Sequence, residues 1–233
     1  MEIISHPLFG IILTLVTFEI GKNIYNKFRL PIFNPILISI LLIVIVLRGF
    51  NIPLDLYENG SNMLSLFLGP VTVILAVPLY KQLHLLKRNL YPILIGVCVG
   101  VVTAVTSVIV LGKLMGLEKI LLLSLAPKSI TTPIGIELSN NIGGVQAITI
   151  VGIMITGITG AVLAPFVCDL FRVKNKVARG IGIGVASHAV GTSKAIEMGE
   201  VEGAMSGLAI GITGICTIVL LPILLKVLGS FIL

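Results

Sequence analysis

The 233-residue sequence contains no tryptophan, and its aromatic and charged residues are scarce, at 6% and 11%. A soluble domain carries about 25% charged residues, so this chain lacks the polar side chains that a water-facing surface needs. Hydrophobic residues make up 56% of the chain, and the mean hydropathy is +1.14. They recur in long runs from end to end. This composition excludes soluble enzymes, nucleic-acid-binding proteins, disordered tails and small disulfide-rich domains. It indicates an all-α polytopic membrane protein.

Six windows are long and apolar enough to cross a bilayer as helices, because a spanning helix needs about 20 residues. They are Pro7–Asn26, Ile32–Phe50, Met63–Tyr80, Leu90–Leu111, Ala147–Phe171 and Ala204–Leu228. Two further stretches, residues 118–144 and 177–203, are interrupted near their centres by polar residues, glycine or proline. We therefore expect six full transmembrane helices and two broken, re-entrant helical hairpins.

The basic residues predict the orientation of these segments. Three clusters follow the first, third and fifth windows: Lys22, Lys27 and Arg29; Lys81, Lys87 and Arg88; and Arg172, Lys174, Lys176 and Arg179. Lysine and arginine are retained on the cytoplasmic side of a membrane. All three clusters are cytoplasmic if one hairpin dips in from each side, and both termini then lie outside. In the alternative, both broken stretches cross as discontinuous helices, which gives eight crossings and an outward third cluster.

The two hairpins enter the membrane with opposite polarity, which predicts an inverted repeat. We expect one transmembrane domain over residues 1–233, with scaffold and oligomerisation spans in residues 1–90. Residues 91–145 and 146–203 form the two repeat elements, and residues 204–233 form the final span. Inverted repeats with helices broken at mid-depth are typical of secondary transporters.

The first interruption contains two prolines around a polar stretch. Pro127 disfavours helix at the preceding residue, whereas Pro133 suits the first turn of a new helix. One helix therefore ends here and another begins. Irregular backbone is tolerated at membrane depth only where protein or a water-filled cavity satisfies its polar groups, so a cavity is implied.

An anion fits this first break. The new helix presents free amides and a positive dipole end next to the ammonium group of Lys128. The alternatives are that Lys128 pairs with Glu137 or that its ammonium group extends to the membrane interface. Our candidate binding residues in this stretch are Lys128, Ser129, Thr131, Thr132, Asn140 and Asn141.

The second interruption contributes Ser187, His188, Gly191 and Thr192 to the candidate site. Histidine titrates near physiological pH, so His188 is a candidate for proton coupling. A neutral, hydrogen-bonded core histidine explains the residue equally well.

Residues on either side of the second interruption have simpler interpretations. Gly180, Gly182 and Gly184 predict close helix packing and not a dinucleotide site, because no strand precedes them. We expect the acidic end of this stretch, with Lys194 paired to Glu197 and with Glu200 and Glu202, to be a solvated hairpin end.

Short motifs along nearly the whole chain resemble those of the LrgB (CidB, YohK) family of membrane proteins. They are Leu68–Pro70, Ala76–Lys81, Pro127–Ser129, Thr131–Pro133, Ile142–Gly144, Thr156–Ile158, Gly160-Ala161, Ala178–Gly180, Ser187–Ala189, Gly191-Thr192 and Gly199–Ala204. The resemblance implies a multi-pass protein of the bacterial inner membrane that acts beside a small holin-like partner of the LrgA/CidA type. It also implies similarity to the plastidial glycolate/glycerate translocator.

Two functions follow. The first is secondary transport of small monocarboxylates such as glycolate, glycerate, lactate or pyruvate, with proton coupling through His188 and an elevator-like movement in a homodimer. The alternative, implied by the resemblance, is a holin/antiholin-type protein that modulates murein hydrolase activity and autolysis.

We expect no enzyme activity, cofactor or nucleic-acid partner. An intramembrane hydrolase using Lys128 and Ser129 is disfavoured, because adjacent helical positions point about 100° apart. The cysteines, Cys98, Cys168 and Cys216, lack metal-ligand spacing, so we predict core positions and no metal site.

Overall fold

A computed structural model describes residues 6–28, 33–67, 70 and 80–229. The chain divides into two compact units, Met1–Ile74 and Leu75–Leu233. Every regular element in the described ranges is a helix. The all-α prediction is therefore confirmed for this part of the chain.

The first unit contains α1 (Leu8–Phe28), α2 (Pro35–Gly49), α3 (Leu54–Ser61) and a 3₁₀ helix (Asn62–Phe67). Helix α2 begins where the side chain of Asn34 accepts hydrogen bonds from the amides of Ile36 and Leu37. This N-cap satisfies amides that have no partner within the helix. Helices α1 and α2 pack together, and a buried hydrogen bond of 2.9 Å joins the hydroxyls of Thr17 and Ser39 between them.

The second unit contains seven helices in the described residues: α4 (Leu83–Arg88), α5 (Leu90–Leu114), α6 (Lys119–Leu125), α7 (Thr132–Asn141), α8 (Gln146–Leu170), α9 (Lys176–Met198) and α10 (Glu200–Val227). Helix α9 packs along α10 and against α8, and α5 contacts both α9 and α10. The buried side of α5 repeats every four residues, from Ile93 to Ile109. This spacing places one apolar stripe of α5 in the core.

Within the described residues, four helices, α1, α5, α8 and α10, are long and apolar enough to cross a membrane. They correspond to the first, fourth, fifth and sixth predicted windows. Helix α2 is apolar but only 15 residues long, and most of the third window, Met63–Tyr80, lies outside the described residues. The count of six crossings and the inverted repeat stay predictions.

The first broken stretch has the predicted form. Helix α6 ends at Leu125, residues 126–131 are not helical, and α7 begins at Thr132 with Pro133 in its first turn. The break coincides with Pro127 and the residue that precedes it, as expected from the restriction that proline places on helices.

The second stretch is also broken, within the predicted segment but at a single residue, where two helical segments meet at a kink. Helix α9 runs from Lys176 to Met198, and only His188 has a non-helical backbone, with φ 42° and ψ −136°. A positive φ is unfavourable for a residue with a Cβ atom, so the surrounding structure must impose it. The next helix begins at Glu200, four residues before the predicted start of the last span.

The acidic end of this stretch is solvated only in part. Lys194 pairs with Glu197 at 2.8 Å, and Glu197 and Glu200 are exposed, as predicted. The prediction is wrong for Glu202, whose side chain is buried in the first turn of α10. The reason is that α9 packs closely on this turn, so that a Cβ atom on Gly180 would overlap the carbonyl oxygen of Glu202.

Candidate functional site

A cavity of about 650 Å³ lies within the second unit, between α5, the first half of α9 and the break that follows α6. Its volume falls within the range of small-molecule binding pockets. The lining residues are Asn89, Pro92, Ile93, Gly96, Gly100, Thr103, Ala104, Lys128, Ser129, Asn175, Val177, Ala178, Ile181, Gly182, Val185 and Ala186.

The space exists because both helical walls carry small residues at intervals of four. They are Gly96, Gly100 and Ala104 on α5, and Ala178, Gly182 and Ala186 on α9. Residues four apart lie on the same face of a helix. Each helix therefore presents a stripe of small side chains to the cavity, where larger residues would fill it.

The alternating glycines of α9 serve two different faces. A Cβ atom on Gly180 or Gly184 would overlap backbone carbonyl oxygens of α10, so these two residues allow close packing, as predicted. A Cβ atom on Gly182 would meet no atom within 4 Å. Gly182 faces the cavity, so close packing does not explain this glycine.

Lys128 and Ser129 bring polar side chains to this largely apolar cavity. The Nζ atom of Lys128 donates a hydrogen bond to the Oγ atom of Ser129 at 3.4 Å. Lys128 is half-buried, and Ser129 is buried. No carboxylate of the described residues forms an ion pair with Lys128, and Glu137, the partner considered from the sequence, is exposed. The cavity thus contains a positive charge that no described carboxylate neutralises by direct contact.

The backbone at the break has many unpaired polar groups. Among the described residues, no backbone amide donates to the carbonyl oxygens of residues 126–130, and the amides of Ser129 and Ile130 donate to no backbone carbonyl. Thr131 precedes the first turn of α7 without forming a side-chain cap. The amides at the start of α7 and the ammonium group of Lys128 together favour an anion in this region.

Buried hydroxyl groups fix the hairpin of α6 and α7 against α8. The Oγ1 atom of Thr149 lies 2.8 Å from the carbonyl oxygen of Ser124 and 2.7 Å from the Oγ atom of Ser139. The Oγ atom of Ser124 accepts a hydrogen bond from the amide of Val145 at 2.7 Å. All three hydroxyl residues are fully buried. Position 128 therefore follows a helix whose end is fixed by hydrogen bonds.

The second break is packed against α8 and α10. The Nε2 atom of His188 lies 3.0 Å from the carbonyl oxygen of Ile153. The Oγ1 atom of Thr192 donates to the carbonyl oxygen of His188 at 2.9 Å and lies 2.7 Å from the Oγ atom of Ser206. Ser187 is buried against Gly160 of α8. The imidazole of His188 and the hydroxyl of Thr192 therefore have hydrogen-bond partners within the protein.

The predicted site residues fall into three groups. Lys128 and Ser129 line the cavity. Thr131 and Thr132 are half-buried at the start of α7, whereas Asn140 and Asn141 are exposed at its end. Ser187, His188, Gly191 and Thr192 are buried in α9 and are not among the residues that line the cavity.

Three polar residues that line the cavity escape motif-based reasoning: Asn89, Thr103 and Asn175. Asn89 and Asn175 lie in the short polar segments that precede α5 and α9, and Asn175 caps α9 by accepting a hydrogen bond from the amide of Ala178. Thr103 lies within the apolar helix α5, and no motif links the three residues. The available signal was the spacing of small residues on α5 and on the first half of α9, because such stripes leave space beside a helix.

Comparison with known proteins gives a consistent family assignment. The model of the LrgB-like family matches residues 14–227. The protein YxaC of Bacillus subtilis (strain 168) is 39% identical over 199 residues, which are 85% of this chain and 86% of YxaC. Antiholin-like protein LrgB of Bacillus mycoides (strain KBAB4) is 34% identical over 224 residues, which are 96% of this chain and 97% of that protein. No solved structure shows a significant match.

Proposed function

This chain belongs to the LrgB-like family, and from that premise we propose that it is an antiholin-like membrane protein that modulates murein hydrolase activity and autolysis. The observation that carries this proposal is the alignment with antiholin-like protein LrgB over nearly the full length of both chains. The four long apolar helices fit a protein that acts within the membrane. A small LrgA/CidA-type membrane protein is the proposed partner.

The test is a deletion and complementation experiment in a Bacillus strain that lacks its own LrgB-like proteins. We expect this chain to slow detergent-induced lysis and to reduce the murein hydrolase bands of a zymogram. Coexpression of the small partner tests whether this effect needs both proteins. Unchanged lysis at normal membrane levels of the chain, with and without the partner, would contradict the proposal.

The cavity favours a second candidate function, the secondary transport of small monocarboxylates. Its carrying observation is the half-buried Lys128 at the break, with Ser129 beside it and no carboxylate partner among the described residues. An ammonium group in a membrane segment costs about 2.5–3.5 kcal/mol on insertion scales, so it usually has a partner or a function. A carboxylate substrate supplies such a partner.

We assign the roles from the position of each group. Lys128 is the counter-charge of the carboxylate, and Ser129 and the amides that follow it are hydrogen-bond donors. Thr131 and Thr132 remain proposed contributors at the start of α7. The hydroxyl of Thr192 already bonds within the protein, and so does the ring of His188. Their roles in substrate binding and proton coupling therefore require the second break to rearrange during transport.

Uptake of radiolabelled glycolate into proteoliposomes tests the second function. A hydrogen bond to a charged group contributes about 1.5–3 kcal/mol, which corresponds to about a 10- to 100-fold change in affinity. We expect Lys128→Ala to weaken glycolate uptake by that factor. The matched control is Lys113→Ala, at the exposed end of α5. Uptake by Lys128→Ala equal to that of the wild type would exclude the assigned role.

The same variant distinguishes the two functions. If the antiholin-like effect does not involve the cavity, Lys128→Ala retains its effect on lysis while it loses uptake. If lysis control depends on transport, the variant loses both, and Lys113→Ala keeps both.

A further inference from the structure

The large cavity has its two ends at different depths in the membrane. On α5 its lining runs from Asn89, directly before the helix, to Ala104, and on α9 from Asn175, directly before the helix, to Ala186. At 1.5 Å per residue, these stretches are about 22 Å and about 16 Å long. The hydrocarbon core of a bilayer is about 30 Å thick. The cavity therefore extends from the starts of both helices to the middle of the membrane or beyond it.

The end of the cavity at the helix starts is open. Pro92 of α5, Asn175 and Ala178 of α9 line the cavity and are exposed, so solvent reaches the lining there. Farther along, a Cβ atom on Gly96 or Gly182 would meet no atom within 4 Å. The small residues of both walls thus continue the open space inward from this end.

Basic residues surround the open end. Exposed lysine and arginine side chains stand next to Asn89 and Asn175 in the sequence: Lys87, Arg88, Lys174 and Lys176. In the described parts of the chain, no carboxylate forms an ion pair with any of the four. Asp169, at the end of α8, is already paired with Arg179 at 2.7 Å, and Glu202 lies on the α10 side of α9. The open end is therefore positively charged, which raises the local concentration of anions.

The inner end of the cavity is closed. A Cβ atom on Gly152 of α8 would lie 3.7 Å from the Cβ atom of Lys128, which places Lys128 about six residues, or about 9 Å, from the start of α8. The end of α8 lies beside the start of α9, so α8 starts on the opposite side of the membrane. Fully buried, hydrogen-bonded hydroxyl residues of α6, α7 and α8 fill the space between Lys128 and that side: Ser124, Ser139 and Thr149.

We propose that the large cavity is an anion-selective vestibule that opens only to the cytoplasm and ends at Lys128. Lysine and arginine are retained on the cytoplasmic side, so the basic end of the cavity faces the cytoplasm. Its ligands are small anions, which the basic residues at the open end attract and the ammonium group of Lys128 binds. The same charges repel cations. The buried hydroxyl residues separate Lys128 from the outside.

This inference deepens the transport proposal and rests on it for the identity of the anion, but its test needs neither uptake nor lysis. One-sided access without glycolate uptake would contradict the transport proposal and leave the vestibule standing. Glycolate uptake with access from both sides would overturn the vestibule and leave the transport proposal standing.

The experiment measures the rate at which a membrane-impermeant thiol reagent modifies Gly182→Cys in membrane vesicles of known orientation. The reagent is the anion sulfonatoethyl methanethiosulfonate, and peptide mass spectrometry assigns the label, so the natural cysteines stay in place. The new side chain has open space around it, so the variant should fold. We expect labelling in inverted vesicles, where the cytoplasmic face is outside, and none in right-side-out vesicles. The matched control is Gly211→Cys of α10, which also has open space but lies outside the cavity and should be labelled from neither side.

Neutralising the open end tests its charge selectivity. In the Gly182→Cys chain, Arg88→Gln combined with Lys174→Gln should slow the anionic reagent and speed its trimethylammonium analogue. Two charges at about 10–15 Å change such rates about threefold at low salt. The change should disappear at high salt, because ions screen exposed charges. Lys113→Gln, at the other end of α5, is the control and should change neither rate.

Three results would overturn the proposal. Equal labelling of Gly182→Cys from both sides would indicate a continuous channel. Labelling from neither side would indicate that lipid or a packed protein fills the cavity. Equal effects of the double neutralisation on the anionic and the cationic reagent would show that the open end does not select anions.

Discussion

The hydroxyls of Ser124, Ser139 and Thr149 should stabilise the packing of the α6–α7 hairpin against α8, and Thr149→Val tests this. Thr149 is fully buried, and its Oγ1 atom contacts the Ser124 carbonyl at 2.8 Å and the Ser139 hydroxyl at 2.7 Å. Valine fills the same volume without a hydroxyl. The variant therefore leaves one carbonyl oxygen and one hydroxyl buried without their Thr149 partner.

The size of the effect follows from these two groups. An orphaned buried polar group costs about 1–3 kcal/mol in a water-soluble protein, whereas an interhelical hydrogen bond in a membrane protein averages only about 0.6 kcal/mol. We expect a loss of about 2 kcal/mol, between these limits for two groups. For a chain of this length, that corresponds to a fall of about 4–8 °C in melting temperature.

Thermal unfolding in detergent, followed by circular dichroism, is the measurement. Thr149→Ser keeps the hydroxyl and should lose much less stability, and Thr159→Val makes the same change as the test variant at an exposed position of α8. A melting temperature of Thr149→Val within about 1 °C of the wild type, or an equal fall in Thr149→Ser, would refute the reasoning.

Two further predictions concern helix contacts. Gly160→Ala should lower the free energy of unfolding by about 1–3 kcal/mol, because the added Cβ atom overlaps Ser187. Gly211→Ala, which has open space around it, should be neutral or stabilising by up to about 1 kcal/mol. Thermal unfolding compares the two variants, and equal melting temperatures would contradict the prediction for Gly160. Diamide should join Cys98 of α5 to Cys216 of α10, whose sulfur atoms lie 3.8 Å apart, leaving one of three thiols alkylatable by mass spectrometry. If diamide removed as many alkylatable thiols from the Cys98→Ser variant as from the wild type, the predicted disulfide between Cys98 and Cys216 would be contradicted.

Hydropathy and proline position predicted the parts of the fold that depend on local sequence. Helices α5, α8 and α10 coincide with long apolar runs of the sequence. The length of each run and the spacing of its apolar residues are enough to predict the helix and its buried face. The first break coincides with Pro127, because a proline removes a backbone donor wherever it stands. Lys128 and Ser129 are therefore found at a helix break with a cavity beside them, as the sequence indicates.

The second break is harder to predict, because no proline causes it. The positive φ of His188 accompanies its contact with the Ile153 carbonyl and the close approach of Gly157 to the imidazole ring, both on α8. These contacts join residues more than thirty positions apart in the sequence, so the helix propensities of neighbouring residues cannot predict them. Sequence reasoning thus places polar residues correctly at the break but does not reveal that they face α8 and α10 instead of the large cavity.

The alternating glycines show why the cavity and the helix packing arise from the same sequence. In a helix, residues 180 and 184 share one face, whereas residue 182 lies on the opposite side. On the face of Gly180 and Gly184, the absence of side chains lets α9 pack closely on the backbone of α10. Small residues on the other face of α9 and on α5 line the large cavity, and the side chain of Val185 on α9 packs against Gly100 of α5. The break thus brings Lys128 and Ser129 to a space that can hold polar partners, which irregular backbone within a membrane requires.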